Sequence, residues 1–376
     1  MPFINDKLQA MAVQQQQKER EAERNAGEIE PLIHTGKRKP LSRFKFDVDE
    51  VMQRMNSRIF GQEKAMTIIE NMLKIVRADI SDPDKPLFIA LFMGPTGVGK
   101  TEIVRVLAEA VYGNRDHFCR VDMNTLSLDH YTAALTGSPP GYVGSKEGST
   151  ILDKEKIEGT FSRPGIVLFD EIEKASPQVI QTLLNIFDNG MITIASGEEK
   201  IDFRNAIIFM TSNVGAREMF HFSENRFSYL FQRMLHYMNP RYWGDQDGAL
   251  LDKILKKKLE HTFKPEFINR IDQIITFNTL KQNTMHDIVD TLVMQLNSRL
   301  RKQDCRLELD ESARAFLVEE GYDKRYGARA LKRAMRRHVE VPLAELMIGS
   351  DISGQATIVF SGTKKDDSIS ITALNQ

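Results

Sequence analysis

The stretch GPTGVGKT, residues 94–101, has the residue types and spacing of a phosphate cradle: Gly, four residues, Gly, Lys, then a hydroxyl. Gly94, Gly97 and Gly99 let the backbone wrap around phosphate oxygens, with Pro95, Thr96 and Val98 between them. A helix starting near Lys100 aims its free N–H groups at the same anion. In that frame Lys100 neutralises charge on the outer phosphates, and Thr101 offers a hydroxyl to Mg2+. The candidate nucleotide contacts are Gly94, Pro95, Thr96, Gly97, Val98, Gly99, Lys100, Thr101 and Glu102. The bland alternative is an incidental glycine-rich turn.

A second stretch, IVLFDEIEKA at 166–175, supplies acids. Asp170 closes an apolar run, which sets its carboxylate beside the phosphate loop, where it would hold Mg2+ through water. Glu171 follows directly. Two acids at the end of one strand can divide the work, one on the metal and one as general base for water. A solvated carboxylate is the alternative for Glu171. The run IIFMTSN, 207–213, ends in Asn213, which on residue chemistry alone is no better than a turn residue.

These groups need a frame that brings them to one edge. LFIALFM (87–93), GIVLF (165–169) and AIIFM (206–210) are short, all-apolar runs, as expected of strands buried on both faces of a parallel sheet. Helical spacing fills the intervals. FDVDEVMQRMNSRI places Val48, Val51, Met52 and Met55 on one face, and QEKAMTIIENMLKIVRADI, KTEIVRVLAEAVYG and VIQTLLNIFDNG follow, the last closed by Gly190. Strands alternating with helices predict an α/β domain with a parallel sheet. After about Phe277 the chain becomes mostly helical, and QATIVFSGTKKDDSISITAL reads as two short strands around a polar turn. The expected division is a polar N-terminal extension at 1–45, a large α/β domain at 46–276 and a small domain at 277–376. The extension is rich in Gln, Glu and Arg and reads as a disordered tail, with a partner-binding helix as the alternative.

Composition narrows the partners. The chain has 376 residues, is 41% hydrophobic and carries a net charge of −1, so it can bury a core but offers no global field to nucleic acid or an anionic membrane. No apolar run approaches a membrane span. The two cysteines, Cys119 and Cys305, lack metal-ligand spacing and fit a reducing cytoplasm. One loop stands apart: GSPPGYVG, 137–144, puts the aromatic–aliphatic pair Tyr142 and Val143 between glycines and prolines.

From about Arg43 to its end, the chain resembles the second ATPase module of the Clp/Hsp100 unfoldases of the ClpB kind, a branch of the AAA+ superfamily. The resemblance rests on IFGQEKAM, GPTGVGKT, GSPPGYVG, LFDEIEKA, DFRNAIIFMTSN, FKPEFINRID and GYDKRYGARALKR, in that order. It implies an α/β P-loop AAA+ large domain with a parallel sheet, then a small, mostly helical lid domain ending in short β-strands. It also implies ATP and Mg2+ as ligands, and a homohexameric ring with nucleotide at each interface. Ile59 and Phe60 would lie against the adenine. Asn213 takes the place of the γ-phosphate sensor, Arg270 that of an arginine finger reaching the neighbouring subunit, and Arg329 that of a second sensor. Gly141, Tyr142, Val143 and Gly144 match the loop that lines the central pore. For each arginine the bland alternative is a surface salt bridge, usually worth little. The two readings of Arg204, in DFRN, are equal. The basic run KRAMRRH shares a helix with Arg329 and reads as a solvated or intersubunit face.

The expected function is that of an ATP-dependent protein unfoldase or remodelling chaperone, threading polypeptide through a pore. The alternatives are a dedicated remodeller of one assembly, such as a secretion sheath, with 1–45 as its recognition arm; the ATPase partner of a compartmental peptidase; and a nucleic-acid motor. Departures from the family bear on these. There is one nucleotide motif set, as in a single-ring machine. Residues 214–264 form a longer, aromatic-rich stretch, read either as packing or as an adaptor contact. No Ile-Gly-Phe or Ile-Gly-Leu tripeptide lies between the Asn213 strand and the Arg270 helix, which counts against a peptidase partner. NTLSLDHYT lacks the family's acidic–basic pair, putting a secondary substrate contact in doubt.

Overall fold

The protein is described by a computed structural model over residues 42–127, 151–194, 200–223, 246–323, 326–349 and 358–374. The residues expected to form the pore loop, Gly141, Tyr142, Val143 and Gly144, lie outside the described residues, as do 1–41 and the aromatics Phe227, Tyr229, Phe231, Tyr237, Tyr242 and Trp243.

Two helices precede the sheet: α1 (Val48–Asn56), capped by the Asp47 carboxylate, and α2 (Glu63–Ala78). The apolar runs form β1 (Phe88–Met93), β3 (Gly165–Asp170) and β6 (Ala206–Ser212), each buried at every residue. With β2 (Cys119–Asp122) and β7 (Gln273–Thr276) they make a parallel sheet in the order β2-β3-β6-β1-β7. Strands β2 and β7 are short and half-polar, so no apolar run announced them. Register pairs Met93 with Ser212, Phe169 with Met210 and Asp122 with Asp170. The carboxyl ends of β1, β6, β3 and β2 therefore finish together, at the edge where ligands of open α/β sheets bind.

Alternation along each strand splits the core in two. Phe88, Ala90 and Phe92 pack with α1, α2 and α3 (Lys100–Tyr112), while Ile89, Leu91 and Met93 face the opposite layer. That layer takes Ile157 from α4 (Lys154–Glu158) and Leu183 and Phe187 from α5 (Pro177–Asn189). Helix α5 starts on a Ser176 cap with Pro177 in its first turn and ends on Gly190 at φ 63. A hairpin of β4 (Met191–Thr193) and β5 (Lys200–Asp202) follows. Met219 of α6 (Ala216–Ser223), Leu255 and Leu259 of α7 (Gln246–Thr262), Phe263, and Phe267 of α8 (Pro265–Ile268) join the same layer. The described part of 214–264 thus contributes to packing.

A separate core forms beyond β7. It is built by α9 (Gln282–Leu300), β8 (Cys305–Leu309), α10 (Glu311–Gly321), α11 (Ala328–Met335), α12 (Val341–Gly349), β9 (Ile358–Lys365) and β10 (Ser368–Leu374). The expected terminal strand pair is β9 with β10; β8 adds a third strand, parallel to β9. The helix read through ARALKRAMRRHVEVPLAELM contains a π-turn at Arg336–Glu340, just before Pro342, which has no N–H to continue the ladder. Lys332, Arg333, Arg336 and Arg337 are exposed there. Among the described residues, no helix is long and apolar enough to cross a membrane.

Candidate nucleotide site

The loop between β1 and α3 is shaped by close backbone approach. Gly94 lies at φ +151 and Gly97 at φ +81. A Cβ on Gly94 would stand 2.8 Å from the Phe277 carbonyl, and one on Gly97 would stand 2.2 Å from the Tyr326 carbonyl. No side chain fits either position.

The loop's carbonyls are held from outside. Lys100 Nζ donates to the carbonyls of Gly94 at 2.5 Å and Pro95 at 2.9 Å. The Ala328 N–H donates to the Gly97 carbonyl at 3.0 Å, and Gln62 Nε2 to the Val98 carbonyl at 3.2 Å. The Gly94 N–H is spent on the Ser212 carbonyl at 3.2 Å; the N–H groups further along the loop are the ones that can serve an anion.

The two acids are fixed by one threonine. The Glu171 N–H donates to Thr211 Oγ1 at 3.0 Å, and the Thr211 hydroxyl donates to Asp170 Oδ1. This holds Glu171 at φ 58, a left-handed backbone that costs a residue with a Cβ roughly 1–3 kcal/mol. The Glu171 carboxylate accepts from Asn124 Nδ2 at 3.1 Å and from Asn213 Nδ2 at 3.3 Å. Asn213 Oδ1 in turn accepts from Lys100 Nζ at 2.9 Å. Arg120 Nη2 lies 2.5 Å from Asp170 Oδ2.

Lys100 is only 8% exposed, and burial pulls its ammonium down to about 8. Glu173, Asp170 and Glu171 oppose that shift, and Arg329 adds to it. Glu173 accepts the Asn213 N–H at 3.0 Å, while its buried Oε2 has no hydrogen-bond partner among the described residues.

Thr96, Gly97, Val98, Gly99, Lys100, Thr101, Glu102, Asp170, Glu171, Asn213, Ile59, Phe60 and Arg329 line one cavity of about 460 Å3. Gly94 and Pro95 sit behind it and act through their carbonyls. Glu102 also binds the Arg115 guanidinium. Arg270 is absent from this cavity and pairs with Asp188 of its own chain. Arg204 is also remote from it and pairs with Asp202.

Sequence reasoning missed Gln62, Arg120, Asn124, Thr211 and Glu173. The one local signal was in CRVD, where buried Cys119 and Val121 alternate with outward Arg120 and Asp122. The other partnerships join residues far apart in the sequence.

The donor set fits a magnesium polyphosphate. Hydroxyl and carboxylate oxygens of Thr101 and Asp170 suit a hard cation, and the loop N–H groups with Lys100 and Arg329 suit phosphate oxygens. Apolar Ile59, Leu280, Ile288 and Leu292 line the other part of the cavity, where a base can pack.

Known proteins align with this arrangement. The family described as AAA domain (Cdc48 subfamily) matches residues 85–274, and the C-terminal, D2-small domain of ClpB protein matches 280–360. The chain is 49% identical to an ATP-dependent protease ATP-binding subunit-like protein AmiB of Pseudomonas aeruginosa, over 93% of each chain. It is 34% identical to an ATP-dependent protease ATP-binding subunit-like protein of Rhodococcus erythropolis, over 99% of each. A third relative, the negative regulator of genetic competence ClpC/MecB of Bacillus subtilis, is 40% identical over 79% of this chain and 35% of that one. A phosphate loop backed by a parallel sheet, joined to a D2-small-type helical unit and matched by these relatives along its length, makes this chain a member of the Clp/Hsp100 branch of the AAA+ ATPases.

Proposed function

We propose that the chain hydrolyses ATP in a homohexameric ring and uses the energy to unfold or remodel polypeptide. The observation that carries the reading is the run Lys100–Asn213–Glu171, which ties a phosphate-binding cation to a carboxylate through one amide. Lys100 and the loop N–H groups would hold the phosphates, and Ile59 and Phe60 the base. Thr101 and Asp170 would hold Mg2+, which supplies charge neutralisation at the phosphates. Glu171 takes the proton of the attacking water, a role worth about 10²–10⁴ in rate. Arg329 adds positive charge from α11, and Arg270 would do so from the neighbouring subunit. Tyr142 and Val143 would grip the chain being moved.

The relatives' names support protein as the substrate, because two of them are named ATP-dependent protease ATP-binding subunit-like proteins. The same names favour a second reading, that of ATPase partner to a peptidase, although the Ile-Gly-Phe-type tripeptide is absent from the expected stretch. A dedicated remodeller, with 1–45 or 214–264 as its contact, is the remaining alternative. Free, buried Cys119 and Cys305 agree with a cytoplasmic site of action.

Glu171→Gln tests the reading. The variant is expected to bind ATP and assemble, with hydrolysis reduced about 10²-fold or more. Trapped in cells, it should retain a polypeptide. Wild-type turnover in this variant would remove Glu171 from the mechanism. Capture of nucleic acid, with ATPase activity stimulated by it, would replace polypeptide as the substrate.

A further inference from the structure

Gln62 occupies the N-cap position of α2 but does not cap it. Its side chain turns inward and is 2% exposed. Burying a primary amide is costly unless its hydrogen bonds are made. Here they are made to the backbones of two distant segments. Nε2 donates to the Val98 carbonyl at 3.2 Å and to the Asn278 carbonyl at 3.0 Å, and Oε1 accepts the Asn278 N–H at 3.0 Å. Val98 belongs to the phosphate loop. Asn278 lies between β7 and α9, where the chain crosses from the sheet to the second core.

Neighbouring contacts make this junction tight. The Phe277 N–H donates to the Met93 carbonyl at 2.7 Å, and the Phe277 carbonyl abuts Gly94. On the far side, α11 reaches the loop through the Ala328 N–H on the Gly97 carbonyl. Adjacent loop carbonyls, Gly97 and Val98, are thus read by two parties: the second core directly, and its hinge through Gln62. An apolar side chain of similar length would fill the space without the burial cost. The amide adds a directional link between the loop and the hinge.

We propose that Gln62 is the positioning residue that couples the phosphate loop to the hinge, so that nucleotide in the cavity moves the α9–β10 unit against the sheet. This rests on the cavity being a nucleotide site. The experiment uses the full chain with dye-labelled cysteines introduced at exposed Ile80 and Glu308; native Cys119 and Cys305 are buried. ADP is the probe, and binding and inter-dye distance are read separately.

The expected result is that ADP shifts the distance in the wild-type background. In Gln62→Met, ADP affinity stays within about fivefold of wild type while most of the distance change is lost and ATPase kcat falls about tenfold. An unchanged distance response in Gln62→Met overturns the coupling and leaves the nucleotide site standing. No ADP binding in the wild-type background overturns the site itself. No distance change on ADP binding overturns the coupling.

If Gln62→Met does not fold, Gln62→Glu decides. Its carboxylate keeps an acceptor for the Asn278 N–H but faces two carbonyls without a proton to give. Protonation restores one donor, and burial raises the pH at which that happens. The response should be lost at alkaline pH, where the carboxylate is ionised, and return on acidification. A wild-type-like response at every pH overturns the proposal.

Discussion

The Lys100 ammonium donates to Asn213 Oδ1 at 2.9 Å, and the other end of that amide reaches Glu171 at 3.3 Å. Strand order explains why one residue can do both: β6 lies between β1, which leads into the phosphate loop, and β3, which ends in the acids. Asn213→Ala is expected to lower kcat about 10²-fold, the scale of losing one positioned polar group at a charged centre. ADP affinity should fall less. Steady-state kinetics beside ADP titration checks the split; equal losses in kcat and affinity would mean that Asn213 only shapes the loop.

Much of this frame was readable from residue order. The buried strands β1, β3 and β6 carry apolar runs; β1 leads straight into the phosphate loop, while β3 ends in Asp170 and β6 in Thr211 and Ser212. Strands β2, β7 and β8 were not readable, because they are short and none carries a continuous apolar run: β2 and β8 alternate buried with exposed residues, and β7 buries only Ile275 fully. Asn213 looked like a turn residue until β6 was seated between β1 and β3. Gln62 stood inside a quoted motif, IFGQEKAM, yet its role depends on Asn278, which is 216 residues away. Partnerships of that range follow from sheet order, which no local pattern states.

Lys100 makes nucleotide binding depend on pH. Burial holds its ammonium down at about 8 in the free protein, and phosphate oxygens beside it would raise that value in the complex. Below the free value the lysine is charged in both states, so affinity is flat. Above it, binding must take up a proton, and affinity falls as pH rises, by up to about tenfold per pH unit. Calorimetry of ADP binding at pH above 8, in buffers of different ionisation enthalpy, should report proton uptake. Affinity that is flat across this range would mean Lys100 keeps its charge without ligand.

Tyr142 carries the test of the proposed pore loop. A tyrosine in that role would offer a broad apolar face that tolerates many passing side chains. Tyr142→Ala should retain ATP hydrolysis and assembly while losing movement of a folded, tagged substrate, followed by loss of its fluorescence. Normal unfolding by this variant would remove Tyr142 from the transport step and leave the ATPase reading intact.

Arg270 pairs with Asp188 in its own chain and does not line that chain's nucleotide cavity, so the proposed part in hydrolysis would be played at a neighbouring subunit's site. An arginine supplied in trans can be worth about 10³–10⁵ in rate. Arg270→Ala and Glu171→Gln should each be inactive alone. Mixed in equal amounts, they should regain activity, because an intact Glu171 site can then meet an intact Arg270. Random mixing in a head-to-tail ring forms such pairs at about one interface in four. Asp188→Asn removes the intrachain pair, which as an exposed ion pair is worth little to stability, and should stay active. If the mixture stays inactive and Asp188→Asn reproduces the Arg270→Ala defect, Arg270 is a structural residue and the site is completed within one chain.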